Sequence, residues 1–141
     1  FNFWRPYQAI RNGGADGNSL TVEDTTWTSY MPTPNYPDYT SGANNVGGSM
    51  TRALELFFGS DKPFDTPFRI YALGGAVALL PTDALYREYT KFSDIAKEIV
   101  DGRIYLGIHF RFADTEARSQ ARRVANATFK NILQPVNKGN E

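Results

Sequence analysis

The clearest pattern of apolar positions in the chain lies in residues 42–58, where they recur three and four residues apart. The members of this stripe are Val46, Met50, Ala53, Leu54, Phe57 and Phe58. Such spacing is typical of an amphipathic helix with one apolar face toward the core. Gly59 follows directly and is a suitable residue to end a helix. We therefore predict a helix over residues 42–58.

Two further segments predict helices nearer the C-terminal end. A helical period begins after Ser93, a good N-cap residue, with Asp94 in the first turn. A second helix is predicted from about Asp114 to Leu133, and Pro135 ends it. Their apolar positions are Ile95, Ala96, Ile99 and Val100 in the first helix, and Ala117, Ala121, Val124, Ala125 and Ile132 in the second.

The rest of the chain is less regular. Residues 1–11 predict a helical turn at Arg5-Pro6, because proline is tolerated in a first turn. Residues 12–40 predict a long loop, and a loop of this length is usually functional or packs by its own aromatic side chains. Those side chains are Trp27, Tyr30, Tyr36 and Tyr39. Residues 66–81 predict a short hairpin or an irregular extended segment. The sequence thus predicts one mainly α domain over residues 1–141.

Composition limits the classes of function. The 141 residues carry fifteen basic and fifteen acidic side chains, so no overall field draws the protein to nucleic acid or to an anionic membrane. No apolar stretch approaches the roughly 18 residues of a membrane span. The chain has no cysteine and one histidine, His109, which excludes disulfides, thiolate zinc sites and cages of several histidines. Any anion must therefore be bound locally.

The chain begins with an apolar aromatic segment, Phe1-Asn2-Phe3-Trp4, and has neither an initiator methionine nor a signal peptide at this end. We interpret the sequence as a fragment of a longer protein. A genuine mature N-terminus is the alternative.

Three short stretches carry candidate chemistry: Trp4-Arg5-Pro6, residues 34–44, and residues 103–112. Together they resemble, in the same order, the signature motifs of the vanadium-dependent haloperoxidase and type 2 phosphatidic acid phosphatase superfamily, in its haloperoxidase-like branch. The third stretch is the most specific, because five residues separate Arg103 from His109. The resemblance runs from Phe3 to about Ala121. It implies a mainly α helical bundle of the haloperoxidase/acid phosphatase type, incomplete in this chain.

The resemblance implies a site for vanadate, or for phosphate in the same place. Arg5 and Arg103 would bind the oxyanion, since the planar guanidinium matches its oxygens in bidentate fashion. Ser41 and Gly42 would add backbone N–H groups at the start of a helix. His109 would be bonded to the central atom, as vanadium ligand or as phosphatase nucleophile. Considered alone, Arg5 could equally be a surface charge.

The other residues also have simpler explanations. Ser41 could be only an N-cap, its commonest role at such a position. Arg103 could pair with Asp101 or Glu98 on the surface of a helix. His109 could be a half-buried histidine without a catalytic role.

The sequence departs from the superfamily pattern in the second and third motifs. Ala43 stands where the superfamily has the acid–base histidine, and Asn44 beside it cannot carry a proton near neutral pH. Loss of such a group typically costs on the order of 10²–10⁴ in rate. The carboxylate expected four residues after His109 is replaced by Ala113, and Asp114 follows one step later. Asp114 could reach the histidine ring as a catalytic residue, or it could cap the last helix.

Several functions remain open at this stage. A haloperoxidase would use vanadate, hydrogen peroxide and a halide, whereas a phosphatase-like hydrolase would cleave a phosphate ester through His109. Ala43 also allows a non-catalytic phosphate-binding relic. A structural role would have the apolar start of the chain pack on further chain or on a second copy in a homo-oligomer. The superfamily lysine that precedes the first-motif arginine by seven residues would fall before Phe1. The resemblance implies an exported or periplasmic location.

Overall fold

The computed structural model describes residues 2–71, 86–132 and 134. The described elements are α1 (Pro6–Arg11), a 3-10 turn (Gly13–Ala15), α2 (Gly42–Phe57), β1 (Phe68–Tyr71), β2 (Tyr86–Tyr89), α3 (Phe92–Tyr105) and α4 (Arg111–Asn131). The mainly α fold is confirmed. The predicted helices are present, each with ends within a few residues of the expected ones.

Helices α2 and α4 pack closely along a row of small residues. On α4 this row consists of Ala113, Ala117, Ala121 and Ala125, all buried and four residues apart. Gly48 of α2 is buried opposite this row, whereas the neighbouring Gly47, also buried, faces Ile99 of α3. A Cβ atom on Gly48 would lie 2.9 Å from the Cβ of Ala121 and 3.3 Å from the Cα of Arg118. The absence of a side chain at Gly48 therefore sets how near α2 and α4 approach.

The apolar stripe predicted for α2 does not face this core. Val46, Met50 and Phe57 are 71%, 48% and 75% exposed. The buried positions of the helix are Asn44, Gly47, Gly48, Thr51 and Glu55. The expectation of a buried apolar stripe was wrong because helix α4 packs on the side of α2 that its small residues leave open.

The exposed apolar side chains of α2 and α4 border a shared groove of about 930 Å³. Its lining includes Met50, Ala53, Phe57, Val124, Phe129 and Ile132. Val124 and Ile132, which the helical period placed in the core, are 53% and 57% exposed, whereas the alanines of α4 are buried.

A buried carboxylate adds a polar connection between α2 and α4. Glu55 is only 4% exposed. Its carboxylate accepts hydrogen bonds from Arg52 at 2.7 Å and from Arg122 of α4 at 3.0 and 3.1 Å. The two guanidinium groups compensate the cost of removing this charge from water.

Helix α3 begins two residues earlier than expected, at Phe92, with Lys91 at the N-cap position. Ser93 is therefore not the N-cap, and the expectation for it was wrong. The backbone N–H of Ser93 instead donates to Asp61 Oδ1 at 3.1 Å, so a side chain from the preceding loop satisfies this end of the helix. The ring of Phe92 is surrounded by those of Phe58, Phe64 and Phe68.

The two strands form an antiparallel ladder in which Phe68 lies opposite Tyr89. Strand β1 falls within the predicted 66–81 segment, whereas its partner β2 was not predicted. The Gly74-Gly75 pair on which the hairpin prediction centred lies outside the described residues.

The predicted long loop is present between the 3-10 turn and α2, and it covers the turn between α3 and α4. Its aromatic rings contact other segments of the domain, with Tyr36 near His109 and Tyr39 stacked on Phe112, while Tyr30 is exposed. Tyr30 N–H donates to Leu106 O at 3.0 Å. Gly107, with φ of 72°, lies against the ring of Trp27, where a Cβ would approach a ring carbon to 2.8 Å. This packing carries the later part of the loop over His109.

Candidate functional site

Arg5 lies immediately before α1 and is 3% exposed, so it is not a surface charge. Its NH1 group donates to Ile108 O at 2.6 Å and lies 3.1 Å from His109 Nε2. Its Nε donates to Tyr36 O at 2.9 Å. The first and third sequence motifs are therefore in direct contact, and the second motif joins them through Tyr36.

Tyr36 connects the two candidate oxyanion arginines. The Arg5 guanidinium carbon lies 4.5 Å from the centroid of the Tyr36 ring. Arg103, in the last turn of α3, donates from NH2 to the Tyr36 hydroxyl at 3.3 Å. The two arginines thus flank one side chain instead of lying on opposite faces of the domain.

Arg103 forms no surface ion pair with Asp101 or Glu98, which was the simpler explanation for this residue. Asp101 pairs with Arg111 at 2.7 Å, and Glu98 pairs with Arg87 at 3.1 Å. The Arg103 side chain is 16% exposed and points toward Asp114, with 4.0 Å between Nε and Oδ1.

Ser41 and Gly42 lie at the start of α2, as the sequence predicted. The Ser41 hydroxyl accepts from the Asn44 backbone N–H at 3.5 Å and from its side-chain Nδ2 at 3.3 Å, so the N-cap role is present. Nothing lies within 4 Å of the position that a Gly42 Cβ would occupy. This opening leaves room for a ligand atom next to the helix start.

Asp114 is fully buried in the first turn of α4, whose N-cap position is Phe110, so it does not cap the helix. Its Oδ1 accepts from Asn44 Nδ2 at 2.7 Å. Burial raises the pKa of the Asp114 carboxyl above its ordinary value, and a hydrogen bond from Ser41 opposes this only in part. The structure thus places Asp114 beside Arg103, one of the candidate oxyanion residues.

The carboxylate closest to the histidine ring is Asp38, which the sequence reasoning missed. Asp38 Oδ1 lies 2.8 Å from His109 Nδ1, and Asp38 is fully buried. Its position directly before the Tyr39-Thr40-Ser41 segment was visible in the sequence. Residue spacing alone does not reveal that this loop passes next to a residue 71 positions later.

The unpartnered polar atoms at this site match the needs of an oxyanion. Among the described residues, Arg5 NH2 and Arg103 Nε are buried N–H groups without a hydrogen-bond partner. Two orphaned guanidinium donors and the opening at Gly42 fit vanadate or phosphate. The unpartnered oxygens Asp38 Oδ2 and Asp114 Oδ2 would oppose an anion if both acids were ionised, which makes the raised pKa of Asp114 relevant to binding.

Ala43 lies half-buried in the first turn of α2 and supplies no titratable group. The amide of Asn44 beside it is already bonded to Ser41 and Asp114. Within residues 2–71 and 86–132, no three His, Asp or Glu side chains come together as a metal cluster. No helix in the described ranges is long and apolar enough to cross a membrane.

Comparison with known families identifies the chain. A family model described as the VCPO second helical-bundle domain matches residues 1–138. The chain belongs to this family, and the resemblance to the vanadium haloperoxidase and type 2 phosphatidic acid phosphatase superfamily is confirmed. A sequence search of curated proteins gives no significant match.

Similar solved structures come from bacterial vanadium enzymes. The first bacterial vanadium-dependent iodoperoxidase is 28% identical over 89% of this chain and 26% of its own, with a TM-score of 0.65. Apo- and holo-type structures of a bacterial vanadium-dependent chloroperoxidase are 20% and 21% identical, with TM-scores of 0.66 and 0.65, and show the shared fold. This chain matches 89% of its own length to 30% and 29% of those chains. It therefore spans less than a third of each of these proteins.

Proposed function

We propose that this domain provides the oxyanion centre of a vanadium-dependent haloperoxidase that oxidises halide with hydrogen peroxide. The proposal is supported by the family and by the arrangement of Arg5 and Arg103 around Tyr36. The observation that carries it is the pair of buried, unpartnered N–H groups, Arg5 NH2 and Arg103 Nε, on the two arginines that contact Tyr36. Such donors are costly to leave unbonded, and an oxyanion would satisfy both.

Each site residue has a distinct task in this proposal. Arg5 and Arg103 bind and neutralise the oxyanion, and the start of α2 at Ser41 and Gly42 adds backbone N–H groups. His109 is the proposed ligand of vanadium, a role that requires a neutral ring with one free nitrogen lone pair. Vanadate, when bound, supplies Lewis-acid activation of hydrogen peroxide. The protein chain holds the anion and excludes water around it.

The weak point of this centre is proton transfer. Ala43 gives the helix start no acid–base group, and the Asn44 amide is held by Asp114. Asp114 is the buried carboxyl that contacts Asn44, the residue after Ala43, and its raised pKa favours the protonated form, so we propose it as the remaining proton carrier. We expect binding of the anion to be intact and turnover to be slow.

Calorimetric titration with orthovanadate tests the proposal. Arg103→Ala should weaken binding by about 10-fold or more, because a charge-assisted hydrogen bond contributes roughly 1.5–3 kcal/mol. Arg111→Ala is the matched control, since Arg111 carries the same charge nearby but pairs with Asp101. Equal affinity of both variants and the wild type would exclude this oxyanion site.

Turnover separates the remaining functions. Iodide or bromide oxidation that requires both vanadate and peroxide supports the haloperoxidase. Hydrolysis of p-nitrophenyl phosphate without vanadate would favour the phosphatase-like hydrolase. Binding without either activity would favour the phosphate-binding relic.

A further inference from the structure

We infer that Asp38 is a positioning residue for His109, which keeps the proton of the neutral ring on Nδ1 and leaves Nε2 with a free lone pair. Asp38 lies on the loop before α2, outside the third motif that contains the histidine. The consequence for vanadate rests on the function proposed above, whereas the tautomer itself is a property of the free chain.

The first support is the contact between the two side chains. Asp38 Oδ1 lies 2.8 Å from His109 Nδ1, a distance typical of a charge-assisted hydrogen bond. The contact is short, although its alignment is not that of a regular hydrogen bond. Both side chains are fully buried, so water does not compete for either atom. An ionised carboxylate only accepts hydrogen bonds, and it therefore favours a proton on Nδ1.

The second support comes from the opposite side of the ring. Arg5 NH1 lies 3.1 Å from His109 Nε2, and a guanidinium is only a donor. Nε2 must therefore be the acceptor in this contact. Asp38, which only accepts, faces Nδ1, and Arg5, which only donates, faces Nε2. Both contacts therefore favour the Nδ1–H tautomer of the neutral ring.

Asp38 is itself held in place through its backbone and through its carboxylate. The Asp38 backbone N–H donates to Phe3 O at 3.2 Å, and Asp38 Oδ1 accepts from the Phe110 N–H at 3.4 Å. Arg5 NH1 lies 3.8 Å from the same oxygen and balances part of its charge. The carboxylate is thus tied to the residues on either side of the site.

This arrangement has a consequence for anion binding. In the structure the Nε2 lone pair faces Arg5, whose other terminal nitrogen has no partner. An oxyanion that engages the Arg5 guanidinium would compete for the group that now covers Nε2. Asp38 would then be the group that still holds the proton on Nδ1 and keeps Nε2 available.

The sole histidine makes a direct test practical. In a chain labelled with [15N]histidine, a long-range 1H–15N correlation spectrum at mildly alkaline pH contains one imidazole and reports which nitrogen carries the proton. For the wild type without any anion we expect the Nδ1–H tautomer with a low-field Nδ1–H proton signal. An Nε2–H tautomer in the wild type would overturn the inference, whether or not any variant folds.

Asp38→Asn replaces the carboxylate with a neutral group of the same shape. We expect the low-field signal to move upfield or disappear, and the Nε2–H form to gain population. Orthovanadate affinity should fall by about 10- to 100-fold, the usual effect of losing a group that orients a metal ligand. Asp101→Asn, which removes a carboxylate paired with Arg111 at the surface, should change neither. An Asp38→Asn spectrum identical to the wild type would overturn the inference.

The two proposals fail in different ways. If the wild type shows the expected tautomer but binds no orthovanadate, the positioning role of Asp38 stands and the proposed function fails. If orthovanadate binds but the tautomer is Nε2–H, the oxyanion site stands and the positioning role of Asp38 fails.

Discussion

Asn44 Nδ2 donates a hydrogen bond to Asp114 Oδ1 at 2.7 Å, and both side chains are fully buried. The bond joins the first turn of α2 to the first turn of α4. It brings a carboxyl group to within 4.0 Å of Arg103 Nε. Asn44 follows Ala43, the residue that differs from the superfamily pattern, and its side chain holds Asp114 in place.

Asp114→Asn should stabilise the protein at neutral pH. Burial raises the pKa of Asp114 in the folded state above its ordinary value of 3.8. Below pH 3.8 both the folded and unfolded states keep the proton, so the group adds nothing there. As the pH rises toward the folded-state pKa, the unfolded state ionises more easily and stability falls. Asparagine retains an oxygen for Asn44 and removes this loss.

Urea unfolding followed by circular dichroism at pH 7 and at pH 3.5 checks this expectation. The gain of Asp114→Asn should be present at pH 7 and nearly absent at pH 3.5. Asp65→Asn, at an exposed position, should show no such pH-dependent gain. A variant that is less stable than the wild type at pH 7 would mean that the ionised carboxylate is favoured in the fold.

Ala43→His should raise halide oxidation or phosphate ester hydrolysis, whichever the chain performs. The change places an imidazole beside Ser41, where it could exchange a proton with a bound oxygen. The gain should stay below the ~10²–10⁴ of a well-placed acid–base group, because the surroundings of Ala43 are not shaped to hold a ring. Initial rates at saturating substrate measure it. Ala53→His, on an exposed position of the same helix, is the control. No change or a loss of rate would show that another group already moves the proton.

Gly48→Ala should destabilise the domain by about 1–2 kcal/mol. Alanine favours a helix by roughly 1 kcal/mol over glycine, but overpacking typically costs 1–3 kcal/mol. The new Cβ would lie 2.9 Å from that of Ala121 and 3.3 Å from the Cα of Arg118, so backbone would have to move. Adding Ala121→Gly should relieve part of the loss.

Gly102→Ala in α3 is the matched control for this substitution. Nothing lies within 4 Å of its Cβ position, and its φ is not in the left-handed region. It should therefore gain up to about 1 kcal/mol from helix propensity alone. Chemical unfolding gives the free energy of unfolding of both variants. The difference between them separates the cost of close packing from the gain in helix propensity, and equal effects would contradict the close approach at Gly48.

Arg122→Met should cost about 1–3 kcal/mol of unfolding free energy. The methionine keeps an apolar stem but leaves the buried Glu55 carboxylate with Arg52 alone. Arg123→Met removes an equal charge from the next residue, where Arg123 donates to Ser119 on the surface, and should change stability by less than about 0.5 kcal/mol. If both variants lose a similar amount of unfolding free energy, the effect comes from the change in net charge and not from the contact with Glu55.

The sequence predicted element types better than buried faces. The helix over 42–58 is present as Gly42–Phe57, because periodicity and the Ser41 cap are local signals. Its buried face could not be predicted from hydrophobicity, because close packing buries Gly48 against α4 and Gly47 against α3, while Met50 and Phe57 stay exposed. The choice depends on the partner helix, which is far away in the sequence.

The candidate site shows the same division. Arg103 and His109 could be proposed as site residues from one short stretch of sequence. Arg5 could be proposed because it forms an Arg-Pro pair with the next residue. Asp38 could not, because its role depends on where the loop crosses the third motif. The cap at Ser93 was misassigned for a related reason, since Asp61, distant in sequence, satisfies that amide.

Arg5 contacts Ile108 and His109 across 103 and 104 positions of the chain. Closing so long a segment carries a large entropic cost, so these contacts are expected to form late in folding. An anion that requires Arg5 and His109 together has little affinity for partly folded chains. Its main kinetic effect should therefore be to slow unfolding, with little acceleration of folding. If the proposed anion binds at this centre, the lifetime of the native state should lengthen as the centre becomes occupied.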